Sequence, residues 1–116
     1  MYIEQLIDSI EKRPKMYVQE EKIEYIYYYI FGYCSACHNF SVDNMDKMFC
    51  CWFWKWLVKW ITDNIDCEYQ TKSAIWYEGI KEIADGEHKE INLFFSLSKQ
   101  FFNDYRNKKG FFERMA

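Results

Sequence analysis

Glycine and proline are scarce in this chain, with 4 and 1 among its 116 residues. Tight turns depend on these two residue types, so the low counts argue against a β-sandwich or β-barrel with many short connections. Apolar residues are abundant instead, because half of the residues are hydrophobic and 22% are aromatic. This content excludes global disorder, and the length favours a single core. The composition therefore predicts one all-α domain over residues 1–116.

The chain also lacks a long uninterrupted apolar segment. Acidic residues interleave with the first apolar positions, so we expect no secretory leader. Lys55 and Lys59 break the most apolar stretch, residues 49–61, so we expect no membrane-spanning helix. These absences predict a cytoplasmic protein with reduced thiols. The five cysteines are an odd number, so disulfides cannot pair all of them.

Apolar residues recur at helical spacing in five segments. We predict helices over residues 2–12, 20–40, 45–61, 72–84 and 87–105. Pro14 should end the first helix at Arg13, because the residue before a proline avoids the α conformation. Asp43 or Asn44 should cap the start of the third helix, and Gly86 the end of the fourth. The predicted fold is a bundle of about five helices around an aromatic-rich core.

The second helix has two unusual features. Aromatic residues cover more than one of its faces, which predicts a central position in the bundle; they are Tyr27, Tyr28, Tyr29, Phe31 and Tyr33. Gly32 lies inside the same helix, where glycine costs about 1 kcal/mol relative to alanine. We expect this glycine to admit a neighbouring helix.

One short motif in the second helix matches a cofactor site. Cys34-Ser35-Ala36-Cys37-His38 fits the C-x-x-C-H pattern of covalent haem attachment. With Cys50, Cys51 or Cys67 as a further ligand, the same residues could hold zinc. Haem attachment follows export, however, and small thiols on an apolar helix are usually core residues. Metal or haem binding is therefore the alternative interpretation, and no cofactor is predicted.

Catalytic motifs are also missing. His38 and His88 are the only histidines, and neither is expected to activate a cysteine nucleophile. No glycine-rich phosphate loop is present. The tryptophans and lysines of the third helix could suggest a membrane surface, but its wide apolar arc is more typical of a buried helix. We predict neither an enzyme nor a membrane-binding protein.

The chain has a net charge of −3, and its charged residues are distributed unevenly along the sequence. Residues 106–116 carry four basic residues and one acidic residue, so we expect a solvated, flexible basic tail. The remainder is acidic and would repel a phosphate backbone, which argues against direct nucleic-acid binding and favours a basic partner. Three acidic sets stand out: Glu78, Glu82 and Asp85 on the fourth helix, Asp63, Asp66 and Glu68 before it, and Glu4, Asp8 and Glu11 on the first helix.

The order of several motifs resembles a known family. They are Arg13-Pro14-Lys15-Met16-Tyr17, Phe31-Gly32-Tyr33-x-x-Ala36, Phe53-x-x-Trp56-Leu57, an isolated Trp76, and Phe94-Phe95-x-Leu97 followed by Phe101-Phe102. This order resembles small helical bacterial proteins with an R-P-x-M-Y … G-Y-x-x-A signature. Members include immunity proteins of polymorphic toxin and contact-dependent growth inhibition systems. The resemblance implies a protein that binds a cognate toxin domain without turnover.

The matched residues are expected to be architectural. Arg13 and Pro14 would end the first helix, Met16 and Tyr17 would fold back on the core, and Tyr33 would follow the packing glycine. We therefore predict the toxin contacts from charge: Glu78, Glu82 and Asp85, then Asp63, Asp66 and Glu68, with Trp76 or Tyr77 as aromatic anchors. The acidic set of the first helix is a weaker choice, and a non-enzymatic oligomeric scaffold is a further alternative.

Overall fold

A computed structural model describes residues 2–37, 44–71 and 73–114. Within these ranges the chain forms five α-helices: α1 (Ile3–Lys12), α2 (Ile23–Cys37), α3 (Asn44–Asn64), α4 (Trp76–Ile83) and α5 (Glu87–Asn107). Short 3-10 helices cover Pro14–Met16 and Gly110–Arg114. The predicted all-α bundle is confirmed. His38 and the cap candidate Asp43 lie outside the described residues.

The first helix ends where the sequence predicts. Arg13 is its C-cap, with a φ of −142° and a ψ of 67°, and Pro14 begins the following 3-10 helix. At the other end, the backbone N–H of Ile3 donates to both carboxylate oxygens of Asp46 at 3.2 Å. The Tyr33 hydroxyl donates to Asp46 at 3.1 Å. The buried Asp46 therefore joins α1, α2 and α3.

The aromatic core lies chiefly between α3 and α5. Phe53 contacts the rings of Phe94 and Phe101 on α5 at centroid distances of 6.0 and 5.5 Å. Trp76 stacks on Phe94 at 4.5 Å with the two planes 8° apart. Such ring pairs stabilise beyond the area they bury. The central helix is therefore α3, which carries Phe53.

The predicted central position of α2 is wrong. Its inner face is buried through Ile23, Ile26 and Ile30, but its outer face is exposed and carries aromatic residues. Four of the seven exposed large hydrophobic residues in the described ranges lie on this helix: Tyr25, Tyr28, Tyr29 and Phe31. Sequence periodicity could not separate an aromatic surface from an aromatic core, because both use the same residue types.

Two glycines differ from their predicted roles. A Cβ added at Gly32 would meet nothing within 4 Å among the described residues, so none of the five helices packs closely there. The glycine with a close neighbour is Gly79 on α4. Gly86 has a φ of +110° and is the N-cap of α5, whereas Ala84 is the C-cap of α4. A positive φ favours glycine, which explains Gly86 at the sharp bend between these helices.

The connector after α1 agrees only in part with its prediction. Tyr17 is half-buried against the core and packs edge-on against Tyr29, with the ring centroids 5.6 Å apart. Met16 is 70% exposed and does not fold back on the core. The short 3-10 helix places these adjacent side chains in different surroundings.

The expected flexible tail is packed through one aromatic side chain. Phe112 is buried, and its ring lies 5.1 Å from that of Phe101 and 5.4 Å from that of Tyr105. Lys108, with a φ of +50°, is the left-handed C-cap that turns the chain back toward the bundle. The basic charges at residues 106–109 therefore precede an apolar attachment. None of the described helices combines the length and apolar character needed to cross a membrane.

Candidate protein-binding surface

The acidic residues of α1 are paired within the protein. Glu4 forms an ion pair with Arg106. Asp8 lies 2.9 Å from the Lys12 ammonium, and Glu11 lies 2.8 Å from that of Lys99. All three charges therefore have a basic neighbour, which makes this face a poor surface for attracting a cationic partner.

The carboxylates of α4 are in a different environment. Glu78 and Glu82 are exposed and form no ion pair with any residue that the structure describes. Asp85 follows the end of the helix and lies 3.9 Å from the Lys89 ammonium. The predicted single acidic face of three residues is thus wrong for Asp85, because α4 stops at Ile83. Glu78 and Glu82 remain available to an external partner.

Aromatic rings from α2 and α4 meet beside these carboxylates. The Tyr27 ring lies 5.0 Å from that of Tyr77 and 6.1 Å from that of Phe31. Tyr28 packs at 6.3 Å from Tyr77. Tyr28 and Phe31 are 58% and 57% exposed. We call this region the α2–α4 surface and define it by Tyr27, Tyr28, Phe31, Tyr77, Glu78 and Glu82.

The two predicted aromatic anchors have different positions. Trp76 is buried and contacts the rings of Phe53 and Phe94, so it belongs to the core. Tyr77 is half-buried and contacts the surface rings of α2. The prediction is therefore wrong for Trp76, while Tyr77 is accessible at the surface beside the exposed rings of α2.

The electrostatics of the α2–α4 surface are negative. Burial raises the pKa of Tyr27, with further increases from Tyr28 and from the charge of Glu78. The pKa of Tyr77 is also raised, first by its hydrogen bond with Tyr28, then by burial and by the charges of Tyr28, Glu78 and Glu24. A nearby negative charge disfavours ionisation of a phenol. Tyr27 and Tyr77 therefore remain neutral hydrogen-bonding groups next to the Glu78 carboxylate.

One ion pair fixes α2 against α4 at this surface. The Lys81 ammonium lies 2.9 Å from the Glu24 carboxylate. Partial burial acts to raise the pKa of Glu24, but the hydrogen bond and charge of Lys81 outweigh it and lower that pKa. The same hydrogen bond raises the pKa of Lys81. The pair is a direct polar contact between the two helices beside the aromatic rings.

The acidic loop after α3 reaches this surface through Tyr69. Burial, followed by the charge of Glu82, raises the pKa of Tyr69, which places the phenol next to that carboxylate. The Asp66 carboxylate accepts the backbone N–H of Glu68 at 3.0 Å. Asp63 lies on α3 and pairs with Lys59 at 2.6 Å. Of the predicted loop set, Asp66 and Glu68 thus share a segment that packs on α4, whereas Asp63 is already neutralised.

Among the described residues, the cysteines do not form the alternative metal site. Cys34 and Cys50 are joined by a disulfide across α2 and α3, with their Cα atoms 5.6 Å apart. The prediction of reduced thiols is wrong for this pair, and Cys34 is not free to bind zinc or to attach haem covalently. No group of three or more potential metal ligands occurs among the described residues. The Cys37 side chain and His38 lie outside that part of the chain.

No protein-family model matches the sequence, and no curated protein or solved structure shows significant similarity to it.

Proposed function

We propose that this chain is an immunity protein that binds a cognate bacterial toxin domain and neutralises it without turnover. The observation that supports this function most directly is the pair Glu78 and Glu82. These carboxylates are exposed and lack ion-pair partners among the described residues. Glu78 lies close enough to Tyr27 and Tyr77 to raise their pKa, and those two rings contact the exposed Phe31 and Tyr28. The family resemblance of the sequence motifs supplies the class of partner.

The chemistry of the α2–α4 surface suits a basic protein. Aromatic side chains such as Phe31 and Tyr77 provide a large contact area with few rotatable bonds, and tyrosine is enriched in interface cores. Carboxylates at the edge attract a cationic partner and accelerate encounter. Toxin nucleases bind phosphates with lysine and arginine, so an acidic inhibitor can occupy the same site. We therefore propose a ribonuclease domain with a basic active-site surface as the target.

The location follows from the proposed target. A toxin that cleaves cellular RNA acts in the cytoplasm, so the immunity protein must act there as well. Binding is stoichiometric in this account, and no catalytic residue is assigned.

Co-expression tests the proposal. The proposal requires the neighbouring upstream reading frame to end in a toxin domain. That domain is expressed with the wild-type chain, with Glu78→Lys/Glu82→Lys, or with Asp8→Lys/Glu11→Lys as the matched control. The wild type and the control should restore growth, and the charge-reversed variant should not. Continued killing beside abundant, folded wild-type protein would show that the chain is not the immunity protein for that toxin.

A further inference from the structure

The last two turns of α2 are attached to the bundle differently from its first half. Ile26 and Ile30 are buried in the core, whereas no residue from 31 to 36 is buried. Within that range, Tyr33 and Cys34 are the half-buried side chains that pack against the core. These turns therefore lie on the bundle with little buried apolar area of their own.

Tyr33 and Cys34 each link these turns to α3. The Tyr33 hydroxyl donates to the carboxylate of Asp46 at 3.1 Å, and Cys34 is bonded to Cys50. A hydrogen bond contributes only modestly to stability, because water competes for the same groups in the unfolded state. The disulfide is covalent, so it is the stronger of the two links.

Gly32 weakens the helix at the start of the same turns. Glycine leaves the unfolded backbone freer and destabilises a helix interior relative to alanine. A Cβ at this position would meet nothing within 4 Å among the described residues, so packing does not require the glycine. Ser35 is a further weak helix former, because its hydroxyl competes for backbone hydrogen bonds. The end of α2 therefore depends on its links to α3 for its order.

The disulfide can be reached from solvent. Cys34, Cys50 and the free cysteine Cys51 line one cavity of about 250 Å³. Phe31 and Cys51, which line this cavity, are both exposed, and the two bonded cysteines are half-buried. Exchange between a thiol and a disulfide requires a thiolate to approach one of the two sulfur atoms. The cavity provides that approach.

We propose that Cys34 and Cys50 form a thiol–disulfide switch that exchanges with low-molecular-weight thiols of the glutathione class and controls the order of residues 31–37. In the oxidised state the bond holds the last two turns of α2 against α3. In the reduced state these turns detach and fray, while the remaining core stays folded. The reducing setting rests on the proposed function, which places the chain in the cytoplasm, where disulfides are usually transient.

The exchange takes place in two balanced steps. The thiolate of one small thiol attacks a sulfur of the Cys34–Cys50 bond, forming a mixed disulfide with that cysteine and releasing the other as a thiolate. A second small thiolate attacks the small-molecule sulfur of the mixed disulfide and releases the first cysteine. The two small thiols leave as their disulfide, and their two protons pass to the two cysteines. Oxidation by the same small disulfide reverses both steps.

The switch affects one part of the α2–α4 surface. Phe31 lies on the detaching turns, whereas Tyr27 precedes them and its ring packs 5.1 Å from that of the buried Trp76. Glu78 and Glu82 lie on α4 and keep their positions. Reduction therefore removes one aromatic ring from this surface without removing its charge.

Two measurements on the full oxidised chain test the switch. Peptide mapping after alkylation follows the Cys34–Cys50 bond in about 5 mM reduced and about 50 µM oxidised glutathione, which reproduces a reducing cytoplasm. The bond should be lost in this buffer and should return when oxidised glutathione is in excess. Amide hydrogen exchange at short times should then be at least about tenfold faster over residues 31–37 of the reduced protein, with less than about a twofold change in α5.

Three variants sharpen the comparison. Cys51→Ser/Cys67→Ser is the matched control, because both thiols are exposed and free, and it should respond like the wild type. Cys34→Ser/Cys50→Ser should show the fast exchange in both buffers. Gly32→Ala should slow the exchange of the reduced segment, because alanine favours the helix and the site is open.

A bond that survives the reducing buffer overturns the proposal. Reduction that leaves residues 31–37 as protected as in the oxidised protein, or that removes protection from α5 to the same degree, overturns it as well. So does a response that is absent from Cys51→Ser/Cys67→Ser. None of these measurements involves the toxin, so failure of the switch is distinguishable from failure of the proposed function.

Discussion

The hydroxyl oxygen of Tyr69 lies 3.3 Å from the position that a Cβ on Gly79 would occupy. The methyl Cδ2 of Leu57 lies 3.4 Å from the same point. The loop after α3 therefore packs directly on the backbone of α4, one turn from Glu82. A Cβ at Gly79 would therefore displace at least the Tyr69 side chain by a few tenths of an ångström.

The two helical glycines should respond oppositely to alanine. Gly32→Ala should raise the free energy of unfolding by about 0.5 to 1 kcal/mol, because the site is open and alanine favours the helix. Gly79→Ala should lower it by about 1 kcal/mol, because overpacking against Tyr69 and Leu57 exceeds that gain. Urea unfolding at low protein concentration measures both changes. Equal stabilisation by the two substitutions would show that the Tyr69 side chain moves aside for the added methyl group at no cost in stability.

The disulfide between Cys34 and Cys50 should stabilise the fold. The two cysteines are 16 residues apart in sequence, and closing a loop of this length in the unfolded chain contributes about 3 kcal/mol. Cys34→Ser/Cys50→Ser should lower the free energy of unfolding by about this amount, as measured by denaturant titration of oxidised protein.

Cys51→Ser/Cys67→Ser is the control for this comparison, because both thiols are exposed and free. It should change stability by less than about 0.5 kcal/mol. Peptide mapping without reductant should recover the Cys34–Cys50 link. Recovery of all five cysteines as thiols from oxidised protein would contradict the pairing.

Phe112 should contribute more to stability than its terminal position suggests. Phe112→Ala should lower the free energy of unfolding by about 3 kcal/mol, because the ring is buried against Phe101 and Tyr105. Phe111→Ala should cost less, since Phe111 is only half-buried. Thermal unfolding of both variants makes the comparison. Similar small losses would indicate that the end of the chain is not packed in solution.

The Glu24–Lys81 pair should give a pH-dependent contribution. The pKa of Glu24 is lowered from its ordinary value of 4.5, so its contribution is present above that pH and disappears as the pH falls through the folded-state pKa. The pKa of Lys81 is raised from 10.5, so the Lys81 ammonium stays charged until strongly alkaline pH. Glu24→Gln should lower stability by about 0.5 kcal/mol at neutral pH and by nothing near pH 2.

Glu21→Gln provides the control for this pair, because Glu21 is exposed and forms no ion pair within the described residues. It should leave the pH dependence of unfolding unchanged. If Glu24→Gln lowers the free energy of unfolding equally at acidic and neutral pH, then lost packing, and not the lost charge, causes the destabilisation.

The sequence predicts the helices well because apolar spacing reflects burial directly. The α1 boundary at Arg13 follows from Pro14, and α5 begins at Glu87 as expected. The fourth helix begins later than predicted, at Trp76, because Ser73 uses its side chain to accept the Ile75 N–H and holds the preceding residues in a turn. Local hydrogen bonds of this type compete with helix formation and are difficult to weigh from one sequence.

The candidate surface was only partly predictable. Glu78, Glu82 and Tyr77 were identified by charge and residue type, but Trp76 and Asp85 depended on which way α4 faces and where it ends. The sequence does not predict the exposure of Phe31 and Tyr28, because an aromatic surface and an aromatic core use the same residue types. The absence of charge from Tyr25 to Cys37 gives no warning of this, because a helix that is apolar on all sides is more typical of a buried position.

The association rate between this chain and the toxin domain of the neighbouring reading frame is the most direct test of the central claim. Stopped-flow measurements over a range of salt concentrations compare the wild type, Glu78→Gln/Glu82→Gln and Asp8→Asn/Glu11→Gln. We predict that removing the α4 charges slows association about tenfold at low salt and weakens its salt dependence, while the α1 variant matches the wild type. Equal rates and equal salt dependence for all three proteins would contradict a binding surface centred on Glu78 and Glu82.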